Sequence, residues 1–218
     1  DGGKVTCYRW GHGVEADGKR SRHMRKHHQS HSRSQAYQEL TGMLASYPYH
    51  LYNAVNQLSA YKKCKATLKS DEALVVVDFA ENFTCREAVE VQSGYYCRNS
   101  VTIHPMVMMF KKGETCERDA VIAISPDLNH DATAVKTFLR YLDTHISIHH
   151  TTIKHLIVWS DGCACQYKSR LPMYNISQRF GMRNIEITWN FFGSRHGKCE
   201  ADGEAAVVKN HLDRVVKA

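Results

Sequence analysis

The chain has 218 residues, 43% of them hydrophobic and 23% charged, the balance of a globular protein, which excludes wholesale disorder, collagen, a coiled coil and a small disulfide scaffold. Its longest apolar run, Met106 to Phe110, is far too short to cross a bilayer, so no membrane partner is expected. Lys and Arg number 29 against 22 Asp and Glu, a formal +7 that points mildly to nucleic acid or another polyanion.

In chain order, Asp1-Gly2-Gly3 lacks an initiator methionine and reads as the start of a fragment. Residues 1–33 read as a basic, solvated arm: Lys19 to Arg33 holds six Lys or Arg, four His and no acid. Such a block is either mere solvated surface or a neutraliser of phosphates, and Arg25 and Lys26 are its candidate nucleic-acid contacts. Its histidines, His23, His27, His28 and His31, have no cysteine or carboxylate at finger-like spacing, which disfavours a metal there. Residues 34–73 read as a helical segment. It has a boundary at Tyr47-Pro48 and an apolar stripe of Leu51, Val55 and Leu58, extended by Ala54 and Tyr61.

Residues 74–218 read as one α/β domain. Leu74 to Val77 is a β-branched run typical of a buried strand and ends at Asp78. Val101 to Lys111 is a second strand, in which Pro105 predicts an edge or a bulge. Ala120 to Ile124 is a third, closed by the turn Ser125-Pro126-Asp127. Asp131 to Ile146 is an amphipathic helix with Val135, Phe138, Leu139, Leu142 and Ile146 on one stripe. His155 to Trp159 is a fourth strand, running into Ser160-Asp161-Gly162. A helix interrupted by Pro172, a fifth strand at Ile185 to Phe192, a loop from Gly193 to Gly203 and a closing helix from Glu204 complete the chain. Three consecutive strands suit an antiparallel meander, and the later alternation suits parallel additions with helices on the faces. That is the element order of the ribonuclease H-like fold. It is a five-stranded mixed sheet flanked by helices, and its strands, counted along the chain, lie in the order 3-2-1-4-5.

The acids fall where this fold concentrates chemistry. Asp78 and Asp161 end two otherwise apolar strands, and ligands of α/β sheets gather outside the carboxyl ends of strands. Neighbouring carboxylates repel unless a cation lies between them, and hard oxygen donors suit Mg²⁺ or Mn²⁺. Each Asp alone is explained as well by a turn cap. Two together, with an acid on the last helix, favour a metal site. For that third acid, helical phase prefers Glu204, which shares a stripe with Val208, His211, Leu212 and Val215, whereas Asp202 stands where an N-cap belongs.

Three motifs carry a resemblance. They are Val76-Val77-Asp78-Phe79-Ala80-Glu81-Asn82, Trp159-Ser160-Asp161-Gly162-Cys163-Ala164-Cys165-Gln166-Tyr167-Lys168-Ser169, and Phe191-Phe192-Gly193-Ser194-Arg195-His196-Gly197-Lys198 followed by Asp202-Gly203-Glu204. Over residues 74–218 they resemble the DDE/DDD catalytic core of cut-and-paste DNA transposases, as found in a transposon-derived animal protein family. The resemblance implies metal-dependent DNA strand cleavage and strand transfer, with Mg²⁺ or Mn²⁺ on Asp78, Asp161 and either Asp202 or Glu204. The family's recurrent Asp-Gly pair favours Asp202. It also implies that His196 and Lys198 lie beside the scissile phosphate and that Gln166 and Lys168 touch substrate backbone. DNA as the partner, a nuclear location and compatibility with a homo-oligomer follow in the same way. Cys199 departs from the family, which has Gly there.

Two other functions compete: a domesticated, non-catalytic DNA-binding protein, and a ribonuclease H-like nuclease. The exonucleases of that fold carry D-x-E on the first strand, and Asp78 and Glu81, separated by two residues, fit this poorly. Zinc readings are also minor. Cys163 and Cys165 with His196 and Cys199 are too tightly spaced for a usual knuckle. The eight irregularly spaced cysteines fit a reducing compartment, and nothing resembling a secretory leader is present. His145, His149, His150 and His155 around a helix-to-strand loop read as surface histidines.

Overall fold

A computed structural model describes residues 3–14, 20–85, 98–181, 185–193 and 200–217. The chain divides into two compact units, Asp1–Tyr52 and Asn53–Ala218. Among the described residues no helix is long and apolar enough to cross a membrane.

The first unit opens on an antiparallel hairpin of β1 (Lys4–Val14) and β2 (Arg20–Ser32), so the N-terminal element is a sheet rather than a helix or an irregular arm. The pairing sets Tyr8 opposite His28 and Trp10 opposite Lys26. The Tyr8 and His28 rings meet edge to face at 4.6 Å, and Lys26 Nζ stands 4.2 Å from the Tyr8 ring centre. Such cross-strand pairs stabilise a polar hairpin by a few tenths to about 1 kcal/mol each. They are invisible when the basic stretch is read alone. Helix α1 (Arg33–Leu44) starts at a capping box, with Ser32 Oγ accepting from Gln35 N–H and the Gln35 side chain accepting from Ser32 N–H. Helix α2 (Tyr47–Ala66) carries Pro48 in its first turn, where a missing N–H costs nothing.

The helical segment is therefore present, but only part of its expected apolar face is buried. Leu51, Val55 and Leu58 are exposed, while Ala54 and Tyr61 are buried. Their spacing of seven residues puts Ala54 and Tyr61 on one line of the helix. That line can be buried because Gly193 lets the neighbouring backbone come close. A Cβ on Gly193 would lie 3.0 Å from Ala54 Cα.

The second unit is a mixed α/β layer structure. Its strands are β3 (Glu72–Val77), β4 (Phe83–Thr84), β5 (Ser100–Lys112), β6 (Thr115–Ser125), β7 (His155–Ser160) and β8 (Glu186–Phe191). The long strands lie in the order β6-β5-β3-β7-β8, the expected 3-2-1-4-5, with the short β4 pairing the start of β5. β5 runs antiparallel to β3 and β6, and β7 runs parallel to β3 and β8. Central β3 is buried on both faces, which is why it reads as an unbroken Val run.

One face of the sheet packs on α3 (Ala132–His149) and α4 (Arg170–Gly181). Val135, Phe138, Leu139, Leu142 and Ile146 form the expected stripe over Val75, Val77, Met106 and Met108. The other face, Leu74, Val76, Val107 and Trp159, meets Tyr61 of α2 and Ala201 of α5 (Glu200–Lys217). Pro105 is not at an edge or bulge: it sits inside β5, paired to Ile122 of β6. It is tolerated because the β3–β5 ladder stops beside it. Asp78 N–H donates to Pro105 O at 3.4 Å, and the imide nitrogen has no hydrogen to return.

Candidate active site

Parallel register places the first two acids. Val76 pairs with Trp159, so Asp78 and Asp161 stand level, one step beyond the last residues of neighbouring strands. Each is fixed by local backbone. Asp78 Oδ1 accepts from Phe79 N–H at 2.8 Å, and Asp161 Oδ1 accepts from Cys163 N–H at 3.1 Å. The buried hydroxyl of Ser160 donates to Asp161 O at 2.9 Å and accepts from Trp189 Nε1 at 3.0 Å, tying the end of β7 to β8.

The chain after Asp78 is held just as firmly. Phe79 stacks on His130 at 4.3 Å and meets His104 edge-on at 4.6 Å. His104 is fully buried, bonded through Nε2 to the Tyr167 hydroxyl at 2.8 Å, and burial pushes its pKa down to about 3. Its imidazole is therefore neutral.

The electrostatics single out this cluster. Burial, then the charge of Asp161, push the Asp78 carboxyl up to about 7; the Phe79 N–H pulls it down, and the charge of Asp202 adds a smaller upward push. Burial likewise raises Asp161. Among the described residues neither carboxylate is ion-paired to a Lys or Arg. Uncompensated acids in a half-buried cluster cost stability and fit a set of hard oxygen donors for a divalent cation.

The third acid brought to the pair is Asp202. It lies in the first turn of α5, not at an N-cap, because the helix begins at Glu200 rather than at Glu204 as the sequence pattern predicts. Glu204 faces elsewhere and pairs with Arg118 at 2.8 Å. The buried residues of α5 are Ala201 and Ala205, on the same side as the half-buried Val208 and Leu212 of the expected stripe, while Val215 is exposed. Glu200 is also committed: it accepts from the Tyr61 hydroxyl and from Lys65 Nζ at 2.6 Å, which fixes the start of the helix.

Gln166 and Lys168 flank the buried Tyr167 on the turn after Asp161, whose N–H groups converge on Cys163 O. Lys168 is exposed, with Nζ 5.2 Å from the Phe191 ring centre. His196 and Lys198 lie outside the described residues, as does Cys199. Cys163 and Cys165 Sγ are 3.1 Å apart. In the hairpin, Arg25 and Lys26 point to opposite faces, as successive strand residues must. Lys26 shares its face with exposed Tyr8 and Trp10, whereas Arg25 shares the face on which Arg9 pairs with Glu39 at 3.3 Å.

Histidines expected to be plain surface groups take part in a further constellation. His145 and His150 both reach Asp119, a residue in the middle of β6, and His155 bonds Glu72 and Thr188. The cue was slender: two histidines flanking a helix end, and an acid inside a strand.

A family model described as "Domain of unknown function (DUF8701)" matches residues 57–218, more than half of the chain, and the chain belongs to that family. No curated protein matches it.

Proposed function

We propose that the second unit is a ribonuclease H-like core that cleaves and transfers DNA strands with Mg²⁺ or Mn²⁺. The observation that carries this reading is the meeting of Asp78, Asp161 and Asp202. Three elements deliver acids to one end of the sheet, where Asp161 and Asp202 raise the pKa of Asp78. Asp78, Asp161 and Asp202 would hold the ions, and Glu204, engaged by Arg118, would stay outside. Ions bound there supply activation of a hydroxyl nucleophile and stabilisation of the leaving oxygen.

The chain's own groups do the positioning. The Phe79 and Cys163 N–H groups orient two carboxylates, and Ser160 fixes the backbone of Asp161. Gln166 and Lys168 stand on the adjoining turn, within the same segment that bears Asp161, and would contact the phosphate backbone. By resemblance to transposase cores, His196 and Lys198 would contact the scissile phosphate. The exposed Tyr8, Trp10 and Lys26 of the hairpin combine stacking surface with positive charge, a mix that suits single-stranded or distorted DNA. A nuclear location and self-association belong to this reading.

The test is nicking of supercoiled plasmid with Mg²⁺ or Mn²⁺. The wild-type chain should nick and Asp161→Asn should not, with DNA binding retained in both. An Asp161→Asn protein that cuts at the wild-type rate would overturn the assignment. The hairpin also supports a second reading, a non-catalytic DNA-binding protein, since its aromatic and basic face does not depend on the acids. Tight DNA binding by a wild-type chain that never cuts would favour it.

A further inference from the structure

Among the described residues, three metal-ligating side chains outside the carboxylate site meet at the outer strand of the sheet. Among the described residues β6 pairs with β5 alone, and Asp119 lies near its middle. Asp119 Oδ2 receives His145 Nε2 at 2.6 Å and His150 Nε2 at 3.1 Å. The three ligand atoms all lie within 4.8 Å of one another. Both histidines come from one helix end: His145 is in the last turns of α3, and His150 is its C-cap, with its N–H bonded to Ile146 O.

The groups behind this trio hold it in place. Asp119 Oδ1 is occupied by the N–H of Ala120 at 2.8 Å, which turns Oδ2 toward the imidazoles. The His150 ring is set edge-on against Phe110 at 4.4 Å and is mostly buried. Supporting contacts of this kind orient first ligands in metal sites. A cleft of about 340 Å³, lined by His149, His150, Phe110, Lys111 and Glu117, opens next to it.

We propose that Asp119, His145 and His150 form a site for a borderline divalent transition ion, Zn²⁺ in the first place, separate from the carboxylate site. Two imidazole nitrogens and one carboxylate oxygen are a donor set that favours Zn²⁺ over Mg²⁺, which prefers oxygen alone. Zinc takes such ligands at about 2.0–2.2 Å, so tetrahedral ligand atoms stand roughly 3.3 Å apart. The spacings here are close enough for side-chain rotation to complete the site. Three protein ligands leave the fourth position to solvent on the cleft side. The ion would replace two hydrogen bonds by three coordinate bonds and pin the end of α3 to the outer strand.

The probe is Zn²⁺ itself, added to the full chain and read by NMR of the histidine rings. One equivalent should shift the Nε2 resonances of both His145 and His150. Isothermal titration of a Cys163→Ser, Cys165→Ser background should give one site that His145→Ala or His150→Ala weakens at least 30-fold. Asp119→Asn should weaken it at least 10-fold, and Asp161→Asn should leave it unchanged, which separates this site from the proposed catalytic one. Equal zinc affinity in all three cluster variants overturns the proposal, as does zinc taken up only by the hairpin histidines. If a variant fails to fold, the wild-type spectrum still decides: rings of His145 and His150 that ignore Zn²⁺ sink the site.

Discussion

Asp78 and Asp119 belong to the same sheet, one at the end of central β3 and the other within the outer strand β6, and burial pushes both carboxyls upward. Around Asp78 the neighbours are Asp161 and Asp202, which add to burial, and the group rises to about 7. Around Asp119, hydrogen bonds from His145, His150 and Ala120 N–H outweigh burial, and the group falls below the ordinary carboxylate range. In the first cluster the acids oppose one another's ionisation. The second is already satisfied by hydrogen bonds. The sign of an acid's shift thus depends on whether its neighbours reinforce burial or outweigh it.

The sharpest way to break this contrast is Asp161→Asn. If the first cluster is a metal-dependent centre, plasmid nicking should fall at least ~100-fold, on the scale of losing a principal transition-state contact. Metal-free melting temperature should stay level or rise, because one repelling charge has gone. A variant that loses both activity and stability would mark Asp161 as a structural cap.

Next in size is the pH dependence of stability without metal. The folded carboxyl of Asp78 holds its proton up to about 7 while the unfolded one releases it near 3.8. Between those values the native state binds more protons, so stability declines as pH rises, and the penalty is complete above about 7. At about 1.4 kcal/mol per pKa unit this amounts to a few kcal/mol. Urea melts from pH 4 to 8 should show the decline in wild type and a flatter profile in Asp78→Asn. Parallel profiles would mean that Asp78 titrates normally.

Asp119 should behave in the opposite sense. Its depressed carboxyl contributes stability that is present above the ordinary carboxylate range and disappears as pH falls through the folded value. Asp119→Asn should cost about 1 kcal/mol at neutral pH, at the low end for charged hydrogen bonds because the pair is partly open to solvent. Denaturant midpoints at pH 7 and pH 3 check this: the difference between variant and wild type should shrink at pH 3.

The smallest expected effect lies in the hairpin. Lys26→Ala should lower the slope of log affinity for DNA against log salt by about one, with a lesser change for Arg25→Ala on the opposite face. Equal changes for the two would show that the alternation of faces does not govern contact with DNA.

Much of the second unit is legible in its residues. The Val run before Asp78 and the apolar run before Asp161 mark central strands because both faces there are buried. The stripe from Val135 to Ile146 marks α3 because only one side of that helix meets the sheet. Other features depend on partners far along the chain. The basic residues of β2 form a strand because Tyr8 and Trp10 lie across from them. Pro105 sits in an interior strand because the neighbouring ladder ends beside it. On α2, the small Ala54 rather than the larger Leu51 faces inward, since close packing against Gly193 requires a small residue.

The sequence by itself therefore determined, within the second unit, the order of the long elements, the strand order and the two acids that end β3 and β7, because hydrophobic periodicity and strand punctuation are local signals. Tertiary structure put Asp202, rather than Glu204, within electrostatic reach of Asp78, since that depends on where α5 begins and on Arg118 claiming Glu204 from another strand. It alone brought Asp119 to His145 and His150, across 26 and 31 residues of chain. Charge and ligand chemistry act over a few ångströms of space, and separation along the chain does not reveal which groups will share them.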